Sequence, residues 1–179
     1  VLVTHEHADH VHGVGLLARR YNVPVYLSRG TLRGMRKPVE PSGFLAAGDT
    51  LQLGALSIAA VGVSHDALEP LQYVFSDGRR RFGVLTDLGS YDAALLDSYQ
   101  GLDALLIEAN HCRDMLGRGH YPMFLKQRVG GDYGHLNNHQ AARLVSELGW
   151  QNLQHLVLAH LSSKNNLPQL ARQCFVDTL

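Results

Sequence analysis

Four side chains of metal-ligand type occupy six positions near the start of the chain. They follow the apolar run Val1–Val3 and are His5, His7, Asp9 and His10. Two histidines spaced two apart on an extended segment point the same way, because side chains alternate along a strand. The residues after them can turn the chain, so Asp9 and His10 can face a second point nearby. Imidazole and carboxylate together suit zinc, manganese or iron.

Three further ligand-type residues each follow a predicted strand. Taken singly, each could be a hydrogen-bonded core or loop residue, and the N-terminal cluster could be a histidine-rich polar loop. Together they complete what a site for two metal ions requires. The three residues and their strands are His65 after Leu56–Val63, Asp87 after Arg81–Thr86, and His160 after Leu153–Ala159.

These seven residues divide into two ligand groups. Each group combines side chains that are far apart in the sequence, so the fold must bring the strand ends together. We expect one ion to be held by His5, His7 and His65. We expect the other ion to be held by Asp9, His10 and His160, and Asp87 to bridge the two.

Composition narrows the function classes. The formal net charge is zero, so the overall charge does not indicate a nucleic-acid partner, although local basic patches are still possible. The 11 histidines indicate metal binding or titration near neutral pH. Cys112 and Cys174 form no CxxC motif, which disfavours a disulfide framework and favours a reducing cytoplasm. Apolar runs fall short of the roughly 18 residues that cross a bilayer.

Strand and helix signals alternate along the chain, which predicts a layered α/β arrangement in one domain spanning residues 1–179. The Asp-Gly pair at 77–78 predicts a hairpin turn. Two short helices are expected within His111–Arg128. The remaining predicted helices are Val14–Tyr21, Thr31–Lys37, Tyr91–Tyr99 and Asn138–Leu148, and the remaining strands are Val1–Thr4, Val25–Leu27, Thr50–Leu53, Leu71–Ser76 and Ala104–Ala109.

The order HxHxDH, His, Asp and His at strand ends resembles the metallo-β-lactamase superfamily. A finer resemblance is to the YycJ/WalJ-type exonucleases of that superfamily, and it extends over essentially the whole chain. The first motif is typical of the superfamily, and the later ones are more specific. The matching segments are Thr4–His10, Ser64–Ala67 with Pro70, Thr86–Gly89, Glu108–His111, Met115–Leu116, Tyr121–Pro122 with Leu125–Lys126, Gly134–Asn138, and Ala159–Ser162 with Asn165–Asn166.

The resemblance implies a four-layered αβ/βα sandwich that cleaves nucleic acid. It implies a metal-dependent phosphodiesterase similar to 5′-to-3′ exonucleases on double-stranded DNA. Members of the family usually begin with a strand pair that is absent here, so we expect this chain to be incomplete at its N-terminus and its metal binding to be weakened. Cys112 also stands where an acidic residue is expected.

The expected chemistry is hydrolysis by a hydroxide that bridges two divalent ions, Zn or Mn, or Fe. Asp9 and Asp87 belong to this catalytic centre. His135 and His111 are the candidates for a general acid, oriented by Glu108 or Asp132. His135 has the stronger case, because it precedes the N-terminus of a predicted helix, a place suited to phosphate. For either histidine, a structural hydrogen bond is the alternative.

Basic residues supply candidate substrate contacts. Lys126 and Arg128, with Asn165, are the predicted nucleic-acid contacts, and Arg113 and Arg118 lie near them in sequence. Two other basic runs are more typical of solvated surface turns. They are Arg79–Arg81 and the group Arg33, Arg36 and Lys37.

Alternatives to a DNA exonuclease stay open at this point. The first is a small-ester or thioester hydrolase of the same fold, and the second is an RNA-processing nuclease. A third is a metal-binding protein without activity. A β-lactamase proper is disfavoured, because the later motifs match the nuclease-like branch. Oligomeric state is not readable from the sequence.

Overall fold

Eight β-strands, numbered in chain order, form one small and one large sheet in the computed structural model, which describes residues 1–179. β1 (Tyr26–Leu27) and β2 (Gly43–Phe44) pair in parallel. The six strands of the large sheet lie side by side in sequence order: β3 (Thr50–Leu53), β4 (Leu56–Gly62), β5 (Leu71–Ser76), β6 (Arg81–Leu85), β7 (Ala104–Glu108) and β8 (His155–Ala159). Neighbours from β3 to β6 run antiparallel, and β6, β7 and β8 run parallel.

Eight α-helices connect or flank these strands. The helix Asn138–Leu148 has clear signals at both ends. It begins with a capping box, in which Asn137 accepts from the backbone N–H of Gln140 and Gln140 accepts from that of Asn137. It ends at Gly149, whose left-handed backbone (φ 76°) favours glycine. The helices are α1 (Ala8–Val11), α2 (Val14–Tyr21), α3 (Arg29–Gly34), α4 (Ala93–Tyr99), α5 (Arg113–Arg118), α6 (Met123–Val129), α7 (Asn138–Leu148) and α8 (Pro168–Thr178).

The main core lies between one face of the large sheet and three helices. Residues at alternate positions of the parallel strands, such as Leu85, Leu105 and Ile107, are fully buried. They belong to the same apolar cluster as the buried faces of α4, α7 and α8. Burial of such side chains contributes about 25 cal/mol for each Å² of apolar surface, which fixes these helices on the sheet.

The opposite face of the large sheet carries a second set of apolar side chains. Ile58 and Tyr73 pack there against Leu45, Leu2 and Tyr26 of the small-sheet region. Beyond that region, a third cluster joins α2 and α3 to the segment before the metal-ligand motif. The layers are therefore helix, large sheet, small sheet and helix, which confirms the predicted four-layered αβ/βα sandwich.

Most predicted elements occur, with two corrections. Val1–Thr4 is extended, but it forms only a single bridge, between Leu2 and Tyr26, rather than a full strand. Helix α8 and the short elements α1 and β2 were not predicted. The other boundaries are as predicted or differ by at most three residues, and the Asp77–Gly78 turn between β5 and β6 is present. No helix is long and apolar enough to cross a membrane.

Candidate metal centre

The carboxyl ends of β4, β6, β7 and β8 meet at one edge of the large sheet. This follows from the pairing, because β4 runs antiparallel to β5 and therefore parallel to β6. The N-terminal segment reaches the same edge, where the carbonyl of Thr4 accepts from the N–H of Leu71. All seven predicted ligands consequently converge on one place.

The first ligand group is His5, His7 and His65, whose ring nitrogens lie within 4.8 Å of one another. The Nε2–H of His7 donates to the carbonyl of Asp66 (3.2 Å), and the Nδ1–H of His65 donates to that of Gly134 (3.1 Å). The remaining nitrogens, His7 Nδ1 and His65 Nε2, then face each other as lone pairs across 3.2 Å. Two such lone pairs repel unless a cation lies between them.

That separation suits a metal ion. Zinc–nitrogen bonds of about 2.0–2.1 Å in a tetrahedron place neighbouring nitrogens about 3.3 Å apart. The Nε2 atom of His5 is buried without a hydrogen-bond partner, and so is Oδ2 of Asp87. Buried polar atoms without partners are rare in folded proteins. The residues present therefore fit a divalent cation at this point.

The second group is Asp9, His10 and His160, whose ligand atoms also lie within 4.8 Å of one another. Asp87 stands between the groups: its Oδ2 is 3.4 Å from His10 Nε2, and its Oδ1 is 3.4 Å from His160 Nε2 and 4.0 Å from His65 Nε2. This is the position that a carboxylate would need in order to bridge two ions. Asp9 is the most exposed member, with 71% of its side chain accessible.

Glu108, the last residue of β7, is fully buried and holds the second group in place. Its carboxylate accepts from Nδ1 of His135 (3.1 Å) and from Nδ1 of His160 (3.3 Å). It also accepts from the backbone N–H groups of Asp87, Leu88 and Leu136. A carboxylate bound to one ring nitrogen fixes the tautomer and directs the other nitrogen toward the metal.

Two of the convergent residues have left-handed backbone conformations that non-glycine residues rarely adopt. Asp87 has a φ of 56° and His160 a φ of 51°. Strain of this kind is tolerated where surrounding contacts hold the backbone, and it concentrates at functional sites. At Asp87 the backbone is held by a hydrogen bond, which its N–H donates to the carboxylate of Glu108 (3.0 Å).

Electrostatics keep His5 and Asp87 in metal-binding form. Burial, reinforced by the charge of His10, lowers the pKa of His5 to about 3, so its imidazole is neutral at physiological pH. Burial alone would raise the pKa of Asp87, but the imidazole of His10, 3.4 Å from Oδ2, and the charge of His160 outweigh it and hold the pKa well below its usual value. The hydrogen bond to Glu108 raises the pKa of His160.

The two candidate general acids differ in accessibility. His135 is partly exposed, and its Nδ1 lies 4.0 Å from Oδ1 of the bridging Asp87. Its Nδ1 is bound to Glu108, which leaves Nε2 free. His111 is buried, and burial lowers its pKa to about 4. Of the two predicted orienting residues, only Glu108 contacts a candidate acid, because the Asp132 side chain is exposed and its backbone carbonyl binds Ser90.

The three predicted substrate contacts differ in their surroundings and in their exposure. Arg128 lies beside the metal centre, but it forms an ion pair with Asp66. Lys126 is half-buried and donates to the carbonyl of Gly117 (2.6 Å). Asn165 is only 2% exposed, so its side chain belongs to the interior of the loop after β8 rather than to an open surface. Its role as a substrate contact stays a prediction that its burial does not support.

Two residues of the site received no role from the sequence. Asp66 brings a carboxylate to 3.6 Å from His7 Nε2 and 3.5 Å from His65 Nε2. Thr4 Oγ1 lies 3.1 Å from His5 Nδ1 and 3.0 Å from His10 Nδ1. Both directly adjoin a histidine ligand in sequence, and this adjacency was the only signal for them.

Comparison with known proteins agrees with the geometry. The family model described as a β-lactamase superfamily domain matches residues 1–161. Exodeoxyribonuclease YycJ of Bacillus anthracis is 37% identical over 184 residues, which cover 100% of this chain and 70% of that protein. Exodeoxyribonuclease WalJ of Streptococcus pneumoniae is 37% identical over 186 residues, which cover 100% of this chain and 69% of that protein.

A solved structure shows the same fold. The metallo-β-lactamase fold protein YhfI from Bacillus subtilis superposes with a TM-score of 0.75 at 20% identity, covering 100% of this chain and 71% of that one. The layered architecture, the ligand-type cluster at the sheet edge and the family match lead to one assignment. The chain belongs to the β-lactamase superfamily, as a metallo-β-lactamase-fold hydrolase of the family that includes the exodeoxyribonucleases YycJ and WalJ.

Proposed function

We propose that the protein is a metal-dependent phosphodiesterase that degrades double-stranded DNA from the 5′ end. The observation that carries this proposal is the pair of ligand groups on either side of Asp87, with His5 Nε2 and Asp87 Oδ2 buried and without partners. The names of the two relatives support DNA as the substrate. Double-stranded ends and 5′-to-3′ polarity come from the resemblance alone.

The proposed cofactor is a pair of divalent ions held by the seven ligands. When bound, such ions supply a hydroxide nucleophile, proposed to bridge them, and stabilise charge on the phosphate. Zinc, manganese and iron all accept histidine and carboxylate ligands, so metal analysis of the purified protein must distinguish them.

The chain's own residues supply the remaining steps. Asp87 orients both ligand groups, since its carboxylate lies 3.4 Å from His10 and from His160 of the second group and 4.0 Å from His65 of the first. His135 is the proposed general acid, because its free Nε2 is accessible while Glu108 fixes its Nδ1. When the ring is protonated at both nitrogens, it would deliver the Nε2 proton to the departing sugar oxygen. Arg128 is the proposed contact for a neighbouring phosphate.

A substrate panel tests the proposal. Protein loaded with Mn²⁺ or Zn²⁺ is incubated with duplex DNA labelled at the 5′ or the 3′ end, with single-stranded RNA, and with a chromogenic ester. We expect metal-dependent release of mononucleotides from the 5′ end of the duplex. An Asp87→Asn variant serves as the matched control, because asparagine tolerates the left-handed backbone while removing the charge.

Three other outcomes would replace the proposal. Ester turnover without loss of DNA would make the protein a small-ester or thioester hydrolase, and cleavage confined to RNA would make it an RNA-processing nuclease. Metal binding without any turnover would leave a metal-binding protein. A cytoplasmic location stays a proposal from cysteine usage.

A further inference from the structure

A cavity of about 720 Å³ adjoins the metal centre and plays no part in the chemistry described above. One wall is formed by the motif itself, through Glu6 and His7. The other walls come from α2 and from the segment that follows α3. Since His7 belongs to both the cavity wall and the first ligand group, the cavity directly adjoins the group that would hold one of the two ions.

Three cationic side chains from two separate elements line this cavity. Arg19 projects from α2, and Arg36 and Lys37 follow the end of α3. All three are exposed, and none forms an ion pair. By contrast, Arg80 pairs with Asp103 and Arg128 pairs with Asp66.

The acidic content of the cavity does not neutralise these cations. Glu6 is the only carboxylate in the lining. Its Oε1 accepts from the backbone N–H of Leu68 (2.7 Å), and its Oε2 is buried. Like charges brought together without partners repel, so the arrangement favours an anion from outside the chain.

Close packing fixes the position of the cationic segment. A Cβ at Gly34 would lie 2.4 Å from Cγ of Glu6, so only glycine lets the end of α3 approach the metal-ligand motif this closely. Arg36 and Lys37 follow two and three residues later, which holds them near Arg19.

We propose that this cavity binds phosphate groups that neighbour the cleaved phosphate along the same nucleic-acid strand. The proposal rests on the proposed function and adds a strand-binding site to it. Phosphates recur along a strand with one negative charge each, so a strand leaving the metal centre past His7 brings further phosphates to the three cations. The phosphate is either the 5′-terminal one or an internal one of the backbone.

Steady-state cleavage of duplex DNA at several salt concentrations tests the proposal with the metal-loaded protein. The variants are Arg19→Ala, Arg36→Ala and Lys37→Ala, each compared with Arg79→Ala. Arg79 is an exposed arginine in the turn between β5 and β6, which lies at the opposite end of these strands from the site. Each variant is assayed on duplexes that carry either a 5′-phosphate or a 5′-hydroxyl.

Each cavity variant is expected to raise KM for DNA roughly fivefold to tenfold at about 0.1 M salt and to reduce the slope of log KM against log salt by about 0.7–0.9. A larger effect on 5′-phosphorylated duplex identifies the terminal phosphate, and an equal effect on both duplexes identifies the backbone. An unchanged KM and slope, or the same change in Arg79→Ala, would overturn the proposal. If the unaltered protein does not cleave DNA, the proposed function fails instead.

Discussion

The Nδ1–H of His160 donates to Oε2 of Glu108 across 3.3 Å, joining the residue after β8 to the last residue of β7. This bond turns the other nitrogen of His160 toward Asp87. The same carboxylate also fixes His135 and the strained backbone at Asp87. Burial by itself would raise the pKa of Glu108, but the hydrogen bonds from both histidines outweigh this and lower it, so the group is a carboxylate.

Replacing Glu108 with glutamine should weaken metal binding. The amide cannot accept all five hydrogen bonds, and its NH₂ group would face donors. We expect metal affinity to fall about 10- to 100-fold, measured by competition with a fluorescent chelator. Glu147→Gln removes the same charge from the exposed side of α7 and should bind metal normally. Unchanged affinity in Glu108→Gln would show that the rings need no such support.

His135→Ala should lower kcat about 10²- to 10⁴-fold while the protein keeps its metal, if this residue is the general acid. The high-pH limb of the pH–rate profile should flatten, because the proton donor is gone. His155→Ala, at the start of β8 and away from the site, is the control. A drop in bound metal would instead identify His135 as a ligand.

Metal addition should stabilise the fold. An ion present at about 100 times its Kd adds about 2.7 kcal/mol to the free energy of unfolding. For a chain of this size that corresponds to a rise in Tm of about 5–10 °C, measured by calorimetry with and without chelator. Asp87→Asn should show a much smaller rise. An equal rise in both proteins would place the stabilising ion elsewhere.

The metal-free protein should become less stable as the pH falls from about 6.5 to about 4. The pKa of His5 in the folded state is about 3 and that of His111 about 4, and burial also lowers the pKa of His65. The unfolded chain therefore binds more protons in this range, and the free energy of unfolding rises with pH. The raised pKa of His160 has the opposite effect on the free energy of unfolding, but it is one group against the three histidines whose pKa values are lowered.

Urea denaturation between pH 4 and 8, in the presence of chelator, measures this dependence. His111→Gln should reduce the slope of the free energy of unfolding against pH, because one titrating group is removed. A free energy of unfolding that grows toward acid would contradict the assignment of these histidines as neutral and buried.

Replacing two glycines with alanine should change the stability of the protein in opposite directions, because one is tightly enclosed and the other has open space around it. A Cβ at Gly89 would lie 2.2 Å from the carbonyl oxygen of Gly131 and 2.5 Å from the nitrogen of Gly134, and backbone cannot move aside cheaply. Gly89→Ala should cost about 1–3 kcal/mol or more. Gly117, in α5, has open space around its Cβ, so Gly117→Ala should add about 0.5–1 kcal/mol. Denaturant midpoints compare the two.

The convergence of the seven ligand-type residues could be predicted from sequence, because it depends on short-range regularities. Side chains at the ends of parallel strands meet at one sheet edge, so positions 65, 87 and 160 needed only correct strand boundaries. The capping of α7 by Asn137 and its end at Gly149 are likewise local signals. The order of the four layers was predicted from the family resemblance and not from these local signals.

Features that depend on distant contacts were not predictable. Arg128 meets Asp66 although 62 positions separate them, and no pattern in either segment indicates the pair. Asn165 is buried because its loop folds back on Cys112, whose N–H donates to the Asn165 carbonyl. The five-fold hydrogen bonding of Glu108 arises only when β6, β7, β8 and the segment before α7 are assembled.

Thr4 Oγ1 lies between Nδ1 of His5 and Nδ1 of His10, which belong to different ligand groups. When both rings offer Nε2 to a metal, both Nδ1 atoms carry protons, and the hydroxyl oxygen has two lone pairs with which to accept them. One oxygen atom thus sets the tilt of a ligand in each half of the centre. Any displacement of one ring is passed to the other, so the two halves are mechanically coupled through a side chain that touches neither ion.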